Sequence, residues 1–376
     1  MGTLTAIIGK FQNYYSGMQD SLRCLRTSDM LVVFLCTEAL WYVCISRTRE
    51  SLFALTKQLE MIHLKIISTL TDNITTMLVN RPNYDARNLM GGTDVALEAI
   101  IKASAYSPSF LSAFMPLKIP INIRSVMQRS FRANSNEDVL FGFILTQSSI
   151  VYQHVKRGAQ QLEPKDILLL INLLSSNTAL RTSMSWTPIC LPGYSDKGFL
   201  YAYISFFRGS RVGITLISDN ASGFKSLKTC GDGLEAELQP LVQEVETAID
   251  EMPYSVQATG LKDLRHFIYA PKNSGQFTMP GFFFDSVNKH CLPEVAYSRL
   301  LRRYYDCYLL STFGQNDRNY MRIDIYRNEQ VLCMRQGEYT LLAALNPLLS
   351  TSVVVEQVAQ LLKWLKQEEP SLLIKY

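Results

Sequence analysis

Hydrophobic and polar positions along this chain switch between two periods. Between Ser185 and Asn220 three apolar runs, 186–191, 199–207 and 212–218, are separated by Pro192-Gly193, Asp196-Lys197-Gly198 and Arg208-Gly209-Ser210. Short runs rich in aromatic and β-branched residues, bounded by Gly and Pro, read as strands joined by tight turns. Residues 199–207 are apolar on both alternating faces, which predicts a strand covered on both sides by helices. Upstream, 139–155 (VLFGFILTQSSIVYQHV) reads as a hairpin around Thr146-Gln147-Ser148-Ser149. The stretch 164–176 then opens on a proline suited to a first helical turn and places Ile167, Leu168, Ile171 and Leu174 at helical spacing. A charged helical stretch, 221–250, ends at Met252-Pro253. Two strands, a helix, three strands and further helices make the longin, or roadblock-like, plan of a sheet with helices on its faces.

The plan recurs on either side. Toward the start, 2–15 predicts a helix, 30–37 and 40–46 a strand pair turning at Thr37-Glu38-Ala39, and 48–70 a helix. That helix carries Leu52, Leu55, Leu59, Ile62, Ile66 and Leu70 as one stripe. A second helical stretch leads to Arg81-Pro82, Gly91-Gly92 makes a turn, and a helix covers 94–105; 108–132, with Pro116 and Pro120, reads as connecting structure. Toward the end, 264–270 and 276–284 predict strands, 293–311 a helix, and 320–326, 330–335 and 339–345 three strands. A final helix over 352–369 carries Val354, Val358, Leu361, Leu362 and Leu365 and stops at Pro370. The expected fold class is therefore α/β (α+β), with three tandem units over 1–107, 136–255 and 256–376 and a linker over 108–135.

Composition narrows the function. A 47% hydrophobic, 19% charged chain of 376 residues is a packed globular protein. Its net charge of +4 permits an anionic surface partner, but no basic run interleaves with aromatics, so nucleic acid is not an expected partner. The most apolar window, 30–45, holds Glu38 at its centre and falls short of the roughly 20 apolar residues of a membrane span. No basic segment followed by an apolar core marks a signal peptide, so a cytoplasmic location is expected. The eight cysteines form no Cys-x-x-Cys pair, which points away from a metal or disulfide framework.

A search for chemistry finds little. Gly193-Tyr194-Ser195-Asp196-Lys197-Gly198 has the spacing G-x-S-x-x-G and is followed by a strand, so it reads as a turn and not a nucleophile elbow. His63, His154, His266 and His290 lie in four different elements without a second ligand at helical spacing. Asp263 and His266 share a short segment with no nucleophile beside them, and Arg299, Arg302 and Arg303 read as a solvated helix face or a basic stripe. No catalytic residue, metal or cofactor is expected.

The motif content does resemble a known family. Trp186-Thr187-Pro188-Ile189-Cys190-Leu191-Pro192 followed by Gly198-Phe199-Leu200-Tyr201-Ala202-Tyr203-Ile204-Ser205 is similar to a signature of the SAND, or monensin-sensitivity, vacuolar fusion proteins. Ile45 to Ser51, Gln58-Leu59-Glu60, Asn83 to Gly92, Asp263 to Tyr269 and Trp364 to Glu369 extend the resemblance in order along the chain. It implies three longin domains and a pairing with a second triple-longin protein. That pair would act as guanine nucleotide exchange factor for a late-endosomal Rab-seven-type GTPase, recruited peripherally to membrane bearing phosphatidylinositol 3-phosphate. The related exchange subunits of lysosome-related organelles share the plan, and the alternative from another class is a longin scaffold subunit of a coat or tethering complex.

The resemblance further implies that the first domain contributes to the GTPase surface, which directs attention to residues 30–51. Trp41 and Tyr42, after the turn, are candidate anchors if exposed, because aromatics dominate interface hot spots; otherwise both fill the core. Arg47 and Arg49 are candidate contacts to acidic GTPase residues or the start of a solvated helix. Family members carry a strand pair before the helix that here begins at Gly2, so the first domain is expected to be incomplete, with an open sheet edge.

Overall fold

The computed structural model describes residues 2–14, 21–47, 50–81, 84–282, 293–313 and 319–375. The first unit comprises α1 (Gly2–Tyr14), β1 (Cys24–Arg26), β2 (Leu31–Cys36), β3 (Trp41–Ser46), α2 (Leu52–Leu70), α3 (Asn73–Asn80) and α4 (Asp94–Tyr106). The middle unit holds α5 (Ile121–Asn134), β4 (Phe141–Leu145), β5 (Ile150–Val155), α6 (Pro164–Ser176), α7 (Ala179–Thr182), β6 (Ser185–Leu191), β7 (Ser195–Phe206), β8 (Gly213–Ser218), α8 (Phe224–Leu238) and α9 (Val242–Asp250). The third holds β9 (Leu264–Pro271), α10 (Pro293–Phe313), β10 (Tyr320–Ile325), β11 (Gln330–Gln336), β12 (Tyr339–Leu345) and α11 (Thr351–Leu372).

Every strand pair is antiparallel, in sheets ordered β1-β2-β3, β5-β4-β8-β7-β6 and β10-β11-β12-β9. All three units share a helix, a three-strand meander and a second helix: α1 to α2, α6 to α8 and α10 to α11. In the middle and third units the last meander strand is flanked by one further strand, β4 beside β8 and β9 beside β12. In the first unit the matching strand is β3, and among the described residues no strand lies on its outer side.

Each sheet is covered on both faces, as the two-sided apolar pattern of 199–207 predicts. On the middle sheet, α5, α8 and α9 bury Met127, Phe131, Leu227, Leu234 and Val245 with Tyr203 and Leu216 on one side. On the other, α6 buries Ile167, Leu170 and Leu174 with Phe143, Ala202 and Ile204. On the third sheet, the α11 residues Val354, Val358, Leu361 and Leu365 pack with Phe267 and Leu332, while Leu300 and Tyr304 of α10 pack with Cys333 and Leu342 opposite.

Four expectations of local structure are corrected, and one strand, β1, had no expectation. Residues 121–134, read as connection, form α5, because Ile123, Met127 and Phe131 recur every four residues and pack into the middle core. Asp196-Lys197-Gly198 lies inside β7 and the turn is Pro192-Gly193-Tyr194, where Tyr194 N–H donates to Leu191 O at 2.9 Å. Within 276–282 there is no strand: Gln276 and Thr278 make only single bridges, and 283–284 lie outside the described residues. Helix α11 continues through Pro370 to Leu372; so near a C-terminus the missing N–H forfeits one bond without breaking the helix. The short β1, with Cys24 opposite Val33, has too few residues to show a period.

The units meet along shared seams. Ser68 Oγ on α2 donates to Cys190 O on β6 at 2.7 Å, and Asp72 N–H to Asp196 O at 2.9 Å. Asn172 Nδ2 on α6 donates to Ala96 O on α4 at 2.9 Å. Phe53 of α2 stacks on Tyr305 of α10 with ring centroids 5.5 Å apart. Helix α2 is thus packed both on its own sheet and against the other two units.

Candidate interaction surface

The β2–β3 hairpin places its side chains by simple alternation. Thr37 N–H bonds Leu40 O at 2.9 Å and Leu40 N–H returns to Thr37 Oγ1 at 3.2 Å, closing the turn and aligning Cys36 with Trp41 and Leu31 with Ser46. Tyr42 and Cys44 consequently face α2, while Trp41 and Val43 face α1, whose Leu4, Ile7, Ile8 and Phe11 pack with Val32 and Phe34.

Tyr42 is corrected as a candidate anchor. It is 8% exposed, and its hydroxyl lies 3.0 Å from Nδ1 of His63 on α2, the two rings meeting edge to face with centroids 5.5 Å apart. Burial pushes the phenol up to about 12 and pulls the His63 imidazole down, the latter opposed by Asp72. Tyr42 therefore joins the first unit's core. Trp41 is half-buried, beside α1. Arg47 is exposed just beyond β3, Ile45 is 56% exposed on the strand, and Arg49 lies outside the described residues. Ser46 Oγ donates to a Glu50 carboxylate oxygen, which ties down the exit from the strand. The hairpin thus groups Trp41, Ile45 and Arg47 along a strand whose outer main-chain groups face no other strand among the described residues.

Residues weighed for chemistry are dispersed. Ser195 opens β7 opposite Leu191, within the sheet. His154 stacks on Phe131 at 5.3 Å, and His266 is fully buried with Nδ1 3.2 Å from the Tyr304 hydroxyl. Asp263 does not approach it; its carboxylate accepts from Asn346 Nδ2 at 3.0 Å and Gln357 Nε2 at 3.3 Å. Arg303 pairs with Glu329 and stacks over Tyr326 at 4.0 Å, so it is not part of a free basic stripe. His290 and Cys291 lie outside the described residues; among those described, no three His, Cys, Asp or Glu side chains group to hold a metal. No described helix is long and apolar enough to cross a membrane.

Sequence reasoning missed three buried polar groups. Asp166, 1% exposed in the first turn of α6, accepts the Gly193 N–H at 2.9 Å and fixes the turn of the Trp186–Pro192 motif. Lys65 and Arg124 are 7% and 6% exposed. Their only signal is a charged residue amid apolar helical positions, which solvated helices show just as often.

The fold so described is a tandem of three longin domains. Residues 1–100, 137–233 and 263–369 match, respectively, the first, second and third longin domains of FUZ, MON1 and HPS1. The chain belongs to this family of triple-longin proteins. It is 29% identical over 383 residues to "Vacuolar fusion protein MON1 homolog A" of Bos taurus and 28% identical over 381 residues to that of Homo sapiens. It is 28% identical over 387 residues to "Protein SAND" of Takifugu rubripes. All of this chain is covered in each case, against 66%, 56% and 71% of those relatives' own lengths.

Proposed function

We propose that this chain acts in vacuole or lysosome fusion and endosome maturation as one subunit of a guanine nucleotide exchange factor. Its partner is a second triple-longin protein, its target a late-endosomal Rab-seven-type GTPase, and its location a peripheral one on phosphoinositide-bearing late-endosomal or vacuolar membrane. The observation that carries the reading is end-to-end similarity to vacuolar fusion proteins through three consecutive longin domains.

Exchange of this kind requires no covalent chemistry. A protein that binds the nucleotide-free GTPase more tightly than the nucleotide-bound form weakens nucleotide binding by that difference, and speeds release by the part of it already present in the transition state. The β3 margin supplies suitable features: an exposed cation at Arg47, an apolar side chain at Ile45, and main-chain groups able to accept a strand from another chain.

The test is release of a fluorescent GDP analogue from a panel of Rab GTPases, with this chain alone and co-purified with its triple-longin partner. Acceleration by the pair of at least about tenfold, equivalent to about 1.4 kcal/mol, on the late-endosomal Rab alone is the expected result. Arg47→Glu combined with Arg49→Glu should reduce it; unchanged rates would move the GTPase surface elsewhere. A well-assembled pair without effect on release would make the chain a longin scaffold of a coat or tethering complex.

A further inference from the structure

A crevice of about 570 Å³ opens between α2 and α4 of the first unit and α6, β6 and β7 of the middle unit. Leu169, Leu173, Ile189 and Leu191 wall it with aliphatic surface, and Phe199 and Val95, 46% and 62% exposed, flank it. The volume lies within the range of about 300–1,000 Å³ typical of small-ligand sites.

The lining hydroxyls already have acceptors. Ser68 donates to Cys190 O at 2.7 Å, Thr69 to Lys65 O at 2.9 Å, Thr93 to Met90 O at 2.7 Å and Ser176 to Asn172 O at 2.6 Å. Lys65 is the one charged residue lining the crevice among the described residues. It is 7% exposed, and its ammonium has no hydrogen-bond or ion-pair partner among them. Burial pulls its pKa down with no opposing carboxylate. A mostly buried cation in an apolar crevice whose wall holds no carboxylate among the described residues is suited to a ligand that brings the anion.

We propose that this crevice binds an amphiphile with a single anionic head and an apolar tail, the head on Lys65 Nζ and the tail along the Leu169–Leu173 and Ile189–Leu191 walls. A carboxylate or monophosphate on an acyl or alkyl chain has this chemistry. It can come from free amphiphile or from a bilayer. Occupancy would bridge the first and middle units, because the wall belongs to both.

The experiment titrates the full chain with oleate, oleyl alcohol and acetate by calorimetry. It then repeats oleate held in phosphatidylcholine vesicles to separate the two sources. Saturable binding of one oleate per chain is expected, at least about tenfold tighter than oleyl alcohol, with acetate far weaker. Lys65→Met keeps length and packing without charge; it should abolish the preference for oleate over the alcohol while raising the thermal midpoint of the free chain. Ser176→Phe, which fills the crevice and leaves the charge, should block both ligands. Saturable oleate binding unaltered in Lys65→Met, acetate competing as well as oleate, or no oleate binding by the folded chain would each overturn the proposal. No GTPase enters the assay, so its outcome is independent of exchange activity.

Discussion

Nη1 of Arg124, on α5 of the middle unit, donates to the main-chain oxygen of Leu373, just beyond α11 of the third unit, at 2.7 Å. The same guanidinium reaches Pro370 O at 2.7 Å, Leu117 O at 2.6 Å and Val151 O at 3.3 Å, so all four bonds go to carbonyls. Nearby, the Gln276 side-chain amide mimics a strand partner, donating to Ile374 O at 3.0 Å and accepting from Ile374 N–H at 2.8 Å. Burial lowers the Arg124 pKa to about 10, which leaves it charged at neutral pH. One side chain thus satisfies the Pro370 carbonyl near the end of α11 and that of Leu373 beyond it, and pins the C-terminal segment to the middle unit.

Arg124→Ala should therefore destabilise the chain by about 3 kcal/mol, from several lost hydrogen bonds and the cavity left behind. Arg124→Lys, with a single point of donation, should recover only part. Urea midpoints report the loss, and limited proteolysis should show cleavage near 370–375 before the remainder of the third unit.

Acid should weaken the fold through His266. Burial lowers its pKa from 6.5 to about 3, with the Pro280 carbonyl pulling weakly the other way. Because the folded pKa is depressed, the stabilising contribution is complete above pH 6.5 and is lost as pH falls toward 3. The loss approaches about 1.4 kcal/mol per pH unit, since the unfolded chain takes up a proton that the folded one refuses. His266→Phe, which suits the surrounding Phe282, Tyr297 and Tyr304 rings, should show a flatter dependence in that window. Parallel curves for the two proteins would rule this out.

Asp166 has the opposite sign. Burial raises its carboxyl from 3.8 to about 6, although the Gly193 N–H and other groups lower it in part. A raised folded pKa means that the stabilising contribution is present below pH 3.8 and lost as pH rises through 6. Asp166→Asn keeps an acceptor for Gly193 and removes the buried charge. It should raise stability at pH 7.5 by about 1–3 kcal/mol, with the advantage gone near pH 4. Denaturation midpoints at those two pH values decide it.

Gly142 on β4 lies under the ring of Phe131, where an added Cβ would come within 2.2 Å of Cε1. Phe131 is fully buried between α5 and the sheet and cannot yield without displacing Tyr152, 5.3 Å away ring to ring. Gly142→Ala should cost about 1–3 kcal/mol by overpacking, measurable as a lower thermal midpoint.

Much of the architecture is legible in the chain itself. The hairpin 139–155, helix α6, the meander around 186–218 and the last three strands all follow from periods of 2 and 3.6 bounded by Gly, Pro and short polar clusters. Two of the failures have a common origin in proline. Pro120 and Pro116 disguised α5 as a loop, and Pro370 suggested a stop that a nearly finished helix does not need. The candidate surface was half legible: alternation along β3 separates Trp41 from Tyr42, yet nothing in it says that His63 waits on the inner side.

The sequence by itself determined most of the elements, their order and the threefold recurrence, because hydrophobic period and turn chemistry act over a few residues. Only the tertiary structure decided that α2 is buried on both sides, that Lys65 lies within a crevice and that Arg124 meets four carbonyls. These three are consequences of one unit docking on another. The structure alone also shows that, among the described residues, β3 has no outer neighbour where β8 has β4 and β12 has β9. The burial of a side chain depends on groups a hundred or more residues away, which no local period records.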